Sequence, residues 1–339
     1  MEEEENHSRR AMRYGLLAAM STLAVTMLAS GWVCVQAIRA EAFARYNGIK
    51  NVSAEKTAKI IRGIEMNAQN IFDEVNNNMG SPKEVIEALR EKVNLNLDTR
   101  GYFAAFEPNY FPKEGKWFEP YVYQPDVAGF EYRQVGSELH DYTKSPWYVR
   151  AKKTNESFWS EPYYYEDGTS MSGYYCTFIK PLYDSKGNFV CVCGADMKFD
   201  WLAKELAWVD QVSKSSILLN TYHLFKDFSF YSVILNRDGK CISRPGSNSL
   251  AIEDQDVVRN LVQKKSGVVK QDVNGNTCLI YYGPIEYIDW SLAIVVPMED
   301  ILKSVLPALL ELFLITAVGM LAVWLIFKKT LLKTPQNER

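Results

Sequence analysis

The sequence predicts an α+β protein: two tandem antiparallel-sheet lobes carried on a long N-terminal helix, with a membrane-spanning helix at each end. Three observations lead there. Apolar runs at 15–38 and 306–327 bracket the 339-residue chain. After the first, apolar residues recur at helical spacing; beyond that, short strands rich in Tyr, Phe, Val and Cys alternate with Gly-containing turns, and the pattern occurs twice.

Gly15 through Ile38 contains no charge and, at about 1.5 Å per residue, spans about 36 Å, enough to cross a bilayer. The run is longer than a signal-peptide core, and Ala40-Glu41-Ala42 is a weak cleavage signal, so an uncleaved anchor is expected. Cys34 follows the bulky Val33, which argues against a lipoprotein site. Arg9, Arg10 and Arg13 precede this run, and Lys328, Lys329 and Lys333 follow the second, so the positive-inside rule puts both ends in the cytoplasm and exports residues 39–304. Glu311 lies about 8 Å into the second run, where an acid either reaches the interface or bonds a partner such as Gln36.

Ile60, Ile61, Ile64, Ala68, Ile71, Phe72, Val75 and Met79 mark one long amphipathic helix, its stripe either a seam against the core or a homodimer contact. Gly80 ends it, and Ser81-Pro82-Lys83-Glu84 starts another as N-cap, first-turn proline and capping-box glutamate, running to about Asn94. From Tyr102 the pattern is β. Tyr174–Leu182 and Phe189–Met197 read as a hairpin around Asp184-Ser185-Lys186-Gly187, and the aromatic, proline-broken stretch between Phe106 and Val135 reads as pocket loops or edge strands. Phe199 to about Val212 reads as a connecting helix. The second lobe then has a hairpin of 230–236 with 240–243 around the turn Asn236-Arg237-Asp238-Gly239, a helix over 254–265, two strands joined at Asn274-Gly275-Asn276, and a last strand 290–297.

The expected domains are therefore a cytoplasmic segment 1–14, a membrane helix 15–38, the long helix and distal lobe 39–198, a linker helix and proximal lobe 199–304, a second membrane helix 305–327 and a cytoplasmic tail 328–339. That tail is too short for a kinase, cyclase or methyl-accepting domain. Signal output is expected from a separate cytoplasmic partner or from a longer form of the receptor.

Composition narrows the function classes. A hydrophobic content of 47%, an aromatic content of 13% and a net charge of −3 exclude a disordered chain and carry no nucleic-acid footprint. Six cysteines are too few for a disulfide scaffold; Cys176, Cys191 and Cys193 sit in apolar stretches as small core residues. Alternation puts Cys191 and Cys193 on one strand face with Cys176 on the preceding strand, so one bridge stays open, and the state of Cys241 and Cys278 is undetermined by spacing. The sequence has no zinc spacing, P-loop, nucleophile elbow or dinucleotide fingerprint, so no cofactor is expected. Three histidines, His7, His140 and His223, adjoin no ligand or nucleophile pattern; Glu161, Glu166 and Asp167 read as a polar loop or pocket rim.

The chemistry concentrates between Ser145 and Asp196. Aromatic rings supply pocket walls with polar tips, and a carboxylate at the end of a buried strand can hold an ammonium by a charge-assisted hydrogen bond. The residues are Trp147, Tyr148, Tyr163 and Asp196, with His140, Ser145, Tyr165 and Arg133 as further lining. Competing structural roles are helix capping by Ser145 and by Asp196, and core packing by the aromatics.

The order of these pieces resembles the double Cache domain, the extracytoplasmic sensor of many bacterial chemoreceptors and sensor kinases, over about residues 40–304. The resemblance implies two PAS-like lobes, a small-molecule ligand in the distal one, and no catalysis. In family members that bind amino acids, an Arg two residues before a Trp-Tyr pair grips the ligand carboxylate, and a later Tyr and an Asp complete the site. Trp147, Tyr148, Tyr163 and Asp196 match, whereas the arginine position holds Ser145 and a further tyrosine position holds His140. A serine cannot replace a planar charged fork, so a small amine or amine-bearing ligand is expected, unless Arg133 or Arg150 meets the carboxylate. An exported enzyme and a non-signalling membrane adaptor are the competing classes.

Overall fold

The structure, a computed structural model, describes residues 2–91, 98–124, 130–166, 172–220, 228–243 and 250–333. Helix α1 (Glu2–Asn77) is 76 residues long, about 114 Å at 1.5 Å per residue. Ser81 starts α2 (Pro82–Glu91) as the sequence predicts: its Oγ accepts the N–H of Glu84 at 3.4 Å. The rest of the helix expected to run to about Asn94 lies outside the described residues.

The first lobe is a seven-stranded antiparallel sheet of β1 (Gly101–Phe106), β2 (Pro120–Tyr123), β3 (Glu131–Gln134), β4 (Phe158–Trp159), β5 (Tyr163–Tyr165), β6 (Gly173–Tyr183) and β7 (Phe189–Lys198). The strand order is β3-β2-β1-β7-β6-β4, with β5 also paired to β6. Helix α3 (Pro146–Thr154) lies on one face and α1 with α2 on the other. Alternation sorts the side chains. Tyr102, Ala104, Cys176, Phe178, Cys191, Cys193 and Met197 face α1, while Phe103, Ala105, Ile179 and Val192 face α3. Ile61, Ile64, Ala68, Ile71, Phe72 and Val75 are completely buried in the core they share with this sheet. The helical stripe is thus the seam with the chain's own core. All six cysteines are free thiols.

Helix α4 (Phe199–Asn220) leads to the second lobe and is longer than the expected 199–212. This lobe is a four-stranded antiparallel sheet in the order β8-β11-β10-β9, made of β8 (Tyr231–Leu235), β9 (Gly267–Val273), β10 (Asn276–Pro284) and β11 (Ser291–Pro297). Helix α5 (Gln255–Val262) covers its outer face, capped by Asp254, which accepts the N–H groups of Asp256 and Val257. Ile234, Tyr281, Leu292, Ile294 and Val296 face α1, so the single long helix backs both sheets.

The expected hairpin of 230–236 with 240–243 forms, but its second arm is only a short bridge and not a full strand. Leu235 pairs antiparallel with Cys241, and the N–H groups of Asn236 and Ile242 donate to the carbonyls of Lys240 and Ile234 at 2.9 Å each, while Lys240 also bridges to Ala251. The arm lies on the edge of β8 opposite β11, and the few residues before Pro245 are too short a run to extend into a full ladder. The turn itself is as predicted and matches its counterpart in the first lobe. Asp184 Oδ1 accepts the N–H groups of Lys186 and Asn188, and Asn236 Oδ1 those of Asp238 and Lys240. Gly187 and Gly239 follow at φ +82° and +76°.

Helix α6 (Met298–Lys333) follows β11 with no intervening residue. Its first turn is fixed by Asp300, completely buried, which accepts the N–H groups of Ser229 at 2.7 Å and Phe230 at 2.9 Å. Asp210 of α4 takes the N–H of Ser232 at 2.7 Å. Two buried carboxylates thereby tie α4 and α6 to the start of β8. Helices α1 and α6 lie side by side, with Gly31 against Leu309 and Leu312. Each is long and apolar enough to cross a membrane, and the apolar stretches are exposed rather than buried. Glu311 is exposed on α6.

Candidate functional site

The α3 face of the first sheet holds a cavity of about 50 Å³ lined by residues from five strands, one helix and the connections between them. Its floor depends on a missing side chain: a Cβ on Gly194 would sit 2.2 Å from the ring of Phe103, so glycine leaves the space that ring fills. Likewise the ring of Tyr121 lies across Gly101, which pairs with Asp196. That is how Tyr121, from β2, reaches a carboxylate on β7.

Asp196 points into this cavity from within β7, and α4 begins only at Phe199. It does not cap the helix. Its Oδ1 accepts the Thr177 hydroxyl at 2.6 Å and the Tyr163 hydroxyl at 3.5 Å, while Tyr163 and Thr177 are 2.8 Å apart. All these partners are neutral. Burial pushes the Asp196 carboxyl up to about 6, partly offset by the hydrogen bonds of Thr177, Tyr121 and Tyr163.

A second carboxylate faces the same space. Glu119, just before β2, is 3% exposed. Its Oε2 has no hydrogen-bond partner, with His140 Nε2 at 3.4 Å. Burial, then the nearby Asp196, holds its carboxyl well above the usual range, and burial lowers the His140 imidazole. Two buried acids thus share one aromatic chamber whose described lining contains no lysine or arginine.

His140, Trp147, Tyr163 and Tyr165 line both this chamber and a wider outer groove of about 560 Å³. Ser145, Arg150, Glu161 and Glu166 lie along that groove. Ser145 occupies the N-cap position of α3, but its side chain makes no capping hydrogen bond. The structure therefore brings together Trp147, Tyr163, Tyr165, His140 and Asp196, with Ser145 in the outer groove.

Two expected residues are elsewhere. Tyr148 is buried in the same core between α3 and the sheet but outside the chamber lining: its hydroxyl donates to Glu107 Oε1 at 2.6 Å and its ring meets Tyr142, Phe189 and Trp147. Successive helix residues point about 100° apart, and here Trp147 lines the chamber while Tyr148 packs beside it. Arg133, opposite Tyr121 on the edge strand β3, does not line the chamber. Glu119 and Tyr121 were not legible as site residues, since they fall in the proline-broken stretch that shows no alternation. Asp167 and His223 lie outside the described residues.

A long helix backing a larger and a smaller antiparallel sheet, with an aromatic cavity in the first, is the double Cache sensor fold. Residues 85–204 match the family model for the methyl-accepting chemotaxis protein-like first PDC sensor domain. No curated protein sequence matches the chain. Among solved structures, the periplasmic sensory domain of the Campylobacter jejuni chemoreceptor Tlp1 is similar at a TM-score of 0.62 and 15% identity, covering 78% of this chain and 98% of that one. The extracellular domain of soHK1S-Z6, a proposed histidine kinase, gives 0.60 and 20%, covering 79% and 98%. The ligand-binding domain of the Pseudomonas fluorescens chemoreceptor CtaA, in complex with L-isoleucine, gives 0.52 and 17%, covering 79% and 97%.

Proposed function

We propose that the chain is a two-pass membrane sensor whose first lobe binds a small amine-bearing molecule outside the cytoplasm. The observation that carries the ligand class is the pair of buried acids, Asp196 and Glu119, facing one chamber with no basic lysine or arginine in its described lining. An ammonium would supply the counter-charge that Asp196 lacks and donate to Glu119 Oε2, which has no hydrogen bond, beside the rings of Trp147, Tyr163 and Tyr165. By its volume the chamber holds only a few water-sized groups, enough for an ammonium and its first carbons; the rest of the ligand would lie in the outer groove. Arg150 in that groove favours a second reading, a zwitterion whose carboxylate lies further from the ammonium than in the family's amino-acid sites.

The exposed apolar stretches of α1 and α6 support residence in the cell membrane with residues 39–304 outside. Signalling would follow from ligand-dependent packing of the two helices within a homodimer, read by a cytoplasmic partner. The chamber is suited to holding a cation rather than turning one over.

The test is a thermal-shift series on the full chain in detergent micelles with ethylamine, putrescine, β-alanine and the neutral acetamide. An amine should raise the melting temperature saturably, and Asp196→Ala should abolish the rise. Equal stabilisation by acetamide, or a retained response in Asp196→Ala, would overturn the assignment. A response to β-alanine that exceeds ethylamine and disappears in Arg150→Ala selects the second reading.

A further inference from the structure

A second cavity lies between α1 and the second lobe, well away from the aromatic chamber. It is an open groove of about 770 Å³ whose walls include Lys50 and Arg62 of α1, Ser266, Gly283 and Tyr287. Lys50 is 4% exposed. Among the described residues it has no hydrogen bond and no ion pair. The two acids lining the groove do not serve it: Glu55 is bonded to Lys59 at 3.0 Å, and Glu286 is exposed and makes no ion pair with Lys50. Arg62 is engaged by Glu65 at 3.3 Å and lies over the Tyr287 ring.

Burying an ammonium without a counter-ion is costly, and burial lowers the affinity of Lys50 for its proton. The surroundings are shaped to keep it there. A Cβ on Gly283 would sit 2.6 Å from Ser266 Oγ and 2.9 Å from Lys50 Nζ. Glycine at 283 is therefore what lets an ammonium and a hydroxyl converge on one point of the β10 backbone. A hydroxyl donor and a cation at one spot, both facing an open groove, are the complement of an oxygen anion.

We propose that this groove is a second ligand site, taking a small oxyanion, a carboxylate or a phosphate, on Lys50 and Ser266. Its position adds a consequence: an anion there joins α1 to β10, the strand beside the one that continues into α6, so it would alter how α1 and the second lobe pack.

The test is melting of the full chain in detergent at pH 7.5, titrated with acetate or inorganic phosphate against sodium chloride of equal ionic strength. One of the two oxyanions should raise the melting temperature saturably, by about 5 °C at a hundredfold excess over Kd. Lys50→Met should melt higher than the wild type without anion, because it removes an unpaired buried charge, and should show no oxyanion response. Ser266→Ala should weaken the response. Asp196→Asn should keep it, which separates this site from the amine chamber. The proposal is overturned if neither oxyanion exceeds chloride, if Lys50→Met retains the response, or if Lys50→Met lowers the melting temperature, as a structural lysine would. Stabilisation that follows protein concentration and disappears in Lys50→Met would overturn it too, making the groove an interface between copies.

Discussion

Asp196→Asn separates what the chamber does for the ligand from what it costs the empty protein. The wild-type carboxyl is raised from 3.8 to about 6. An acid raised in the folded state binds its proton more tightly there than in the unfolded chain, so stability is highest below 3.8, falls as pH rises, and levels off above about 6. At about 1.36 kcal/mol per pH unit, ionised Asp196 costs the empty protein about 3 kcal/mol. Asparagine keeps an oxygen for the Thr177 and Tyr163 hydroxyls and carries no charge. Melting in detergent should thus show no difference between variant and wild type at pH 4 and a variant advantage of about 6–10 °C at pH 8. Glu119 adds to the effect in the same direction, since the charge of Asp196 raises its carboxyl. A gap that does not change with pH, or a wild type more stable than the variant at pH 8, would refute the electrostatic account of the chamber.

Three other outcomes follow from the same coordinates. Putrescine affinity, measured by calorimetry, should be level above pH 7 and fall by about tenfold per pH unit below about 6, because the proton and the ammonium compete for Asp196; a flat profile down to pH 5 argues against that residue. Gly194→Ala places a methyl 2.2 Å from the Phe103 ring and should cost about 1–3 kcal/mol while pushing that ring into the chamber, read as a lower melting temperature together with lost amine response. Asp300→Ala leaves the N–H groups of Ser229 and Phe230 unpaired at the root of α6 and should cost about 3 kcal/mol; a melting temperature unchanged from wild type would count against a clamp there.

The sequence carried the fold further than it carried the site, for reasons visible in individual residues. Period-two alternation is local, so the hairpin of β6 and β7 and the inward position of Asp196 could be read from the chain alone. Ser81, Asp184 and Asn236 act on backbone N–H groups within a few positions, and their turns and cap appear as expected. The chamber is a different kind of object. Glu119 and Asp196 meet only because β2, β1 and β7 are neighbours, and nothing near Glu119 announces a buried acid. Tyr148 marks the converse case: it matches a family position, yet its hydroxyl is taken by Glu107 and only Trp147 of the pair lines the chamber.

The connection from chamber to membrane rests on which parts of the molecule can move. Helix α1 backs both sheets with completely buried side chains, so shifting it relative to the first lobe would open a close-packed core. Helix α6 is held differently, by its continuity with β11, the Asp300 clamp and its contact with α1. Between the lobes, Trp159 donates to Glu65 Oε1 at 2.8 Å and stands 6.4 Å from Trp290, the residue before β11. Trp159 pairs with Phe178, next to Thr177, which bonds Asp196. A ligand that drew Asp196 and Thr177 toward an ammonium would therefore act on β6, on Trp159 and then on Trp290, with α1 as the fixed strut. Trp159→Phe keeps the ring packing and removes the bond to Glu65. It should leave amine affinity near wild type while weakening the ligand-dependent change between α1 and α6, measured as the distance between spin labels placed on the two helices. An equal change in variant and wild type would show that the signal takes another route.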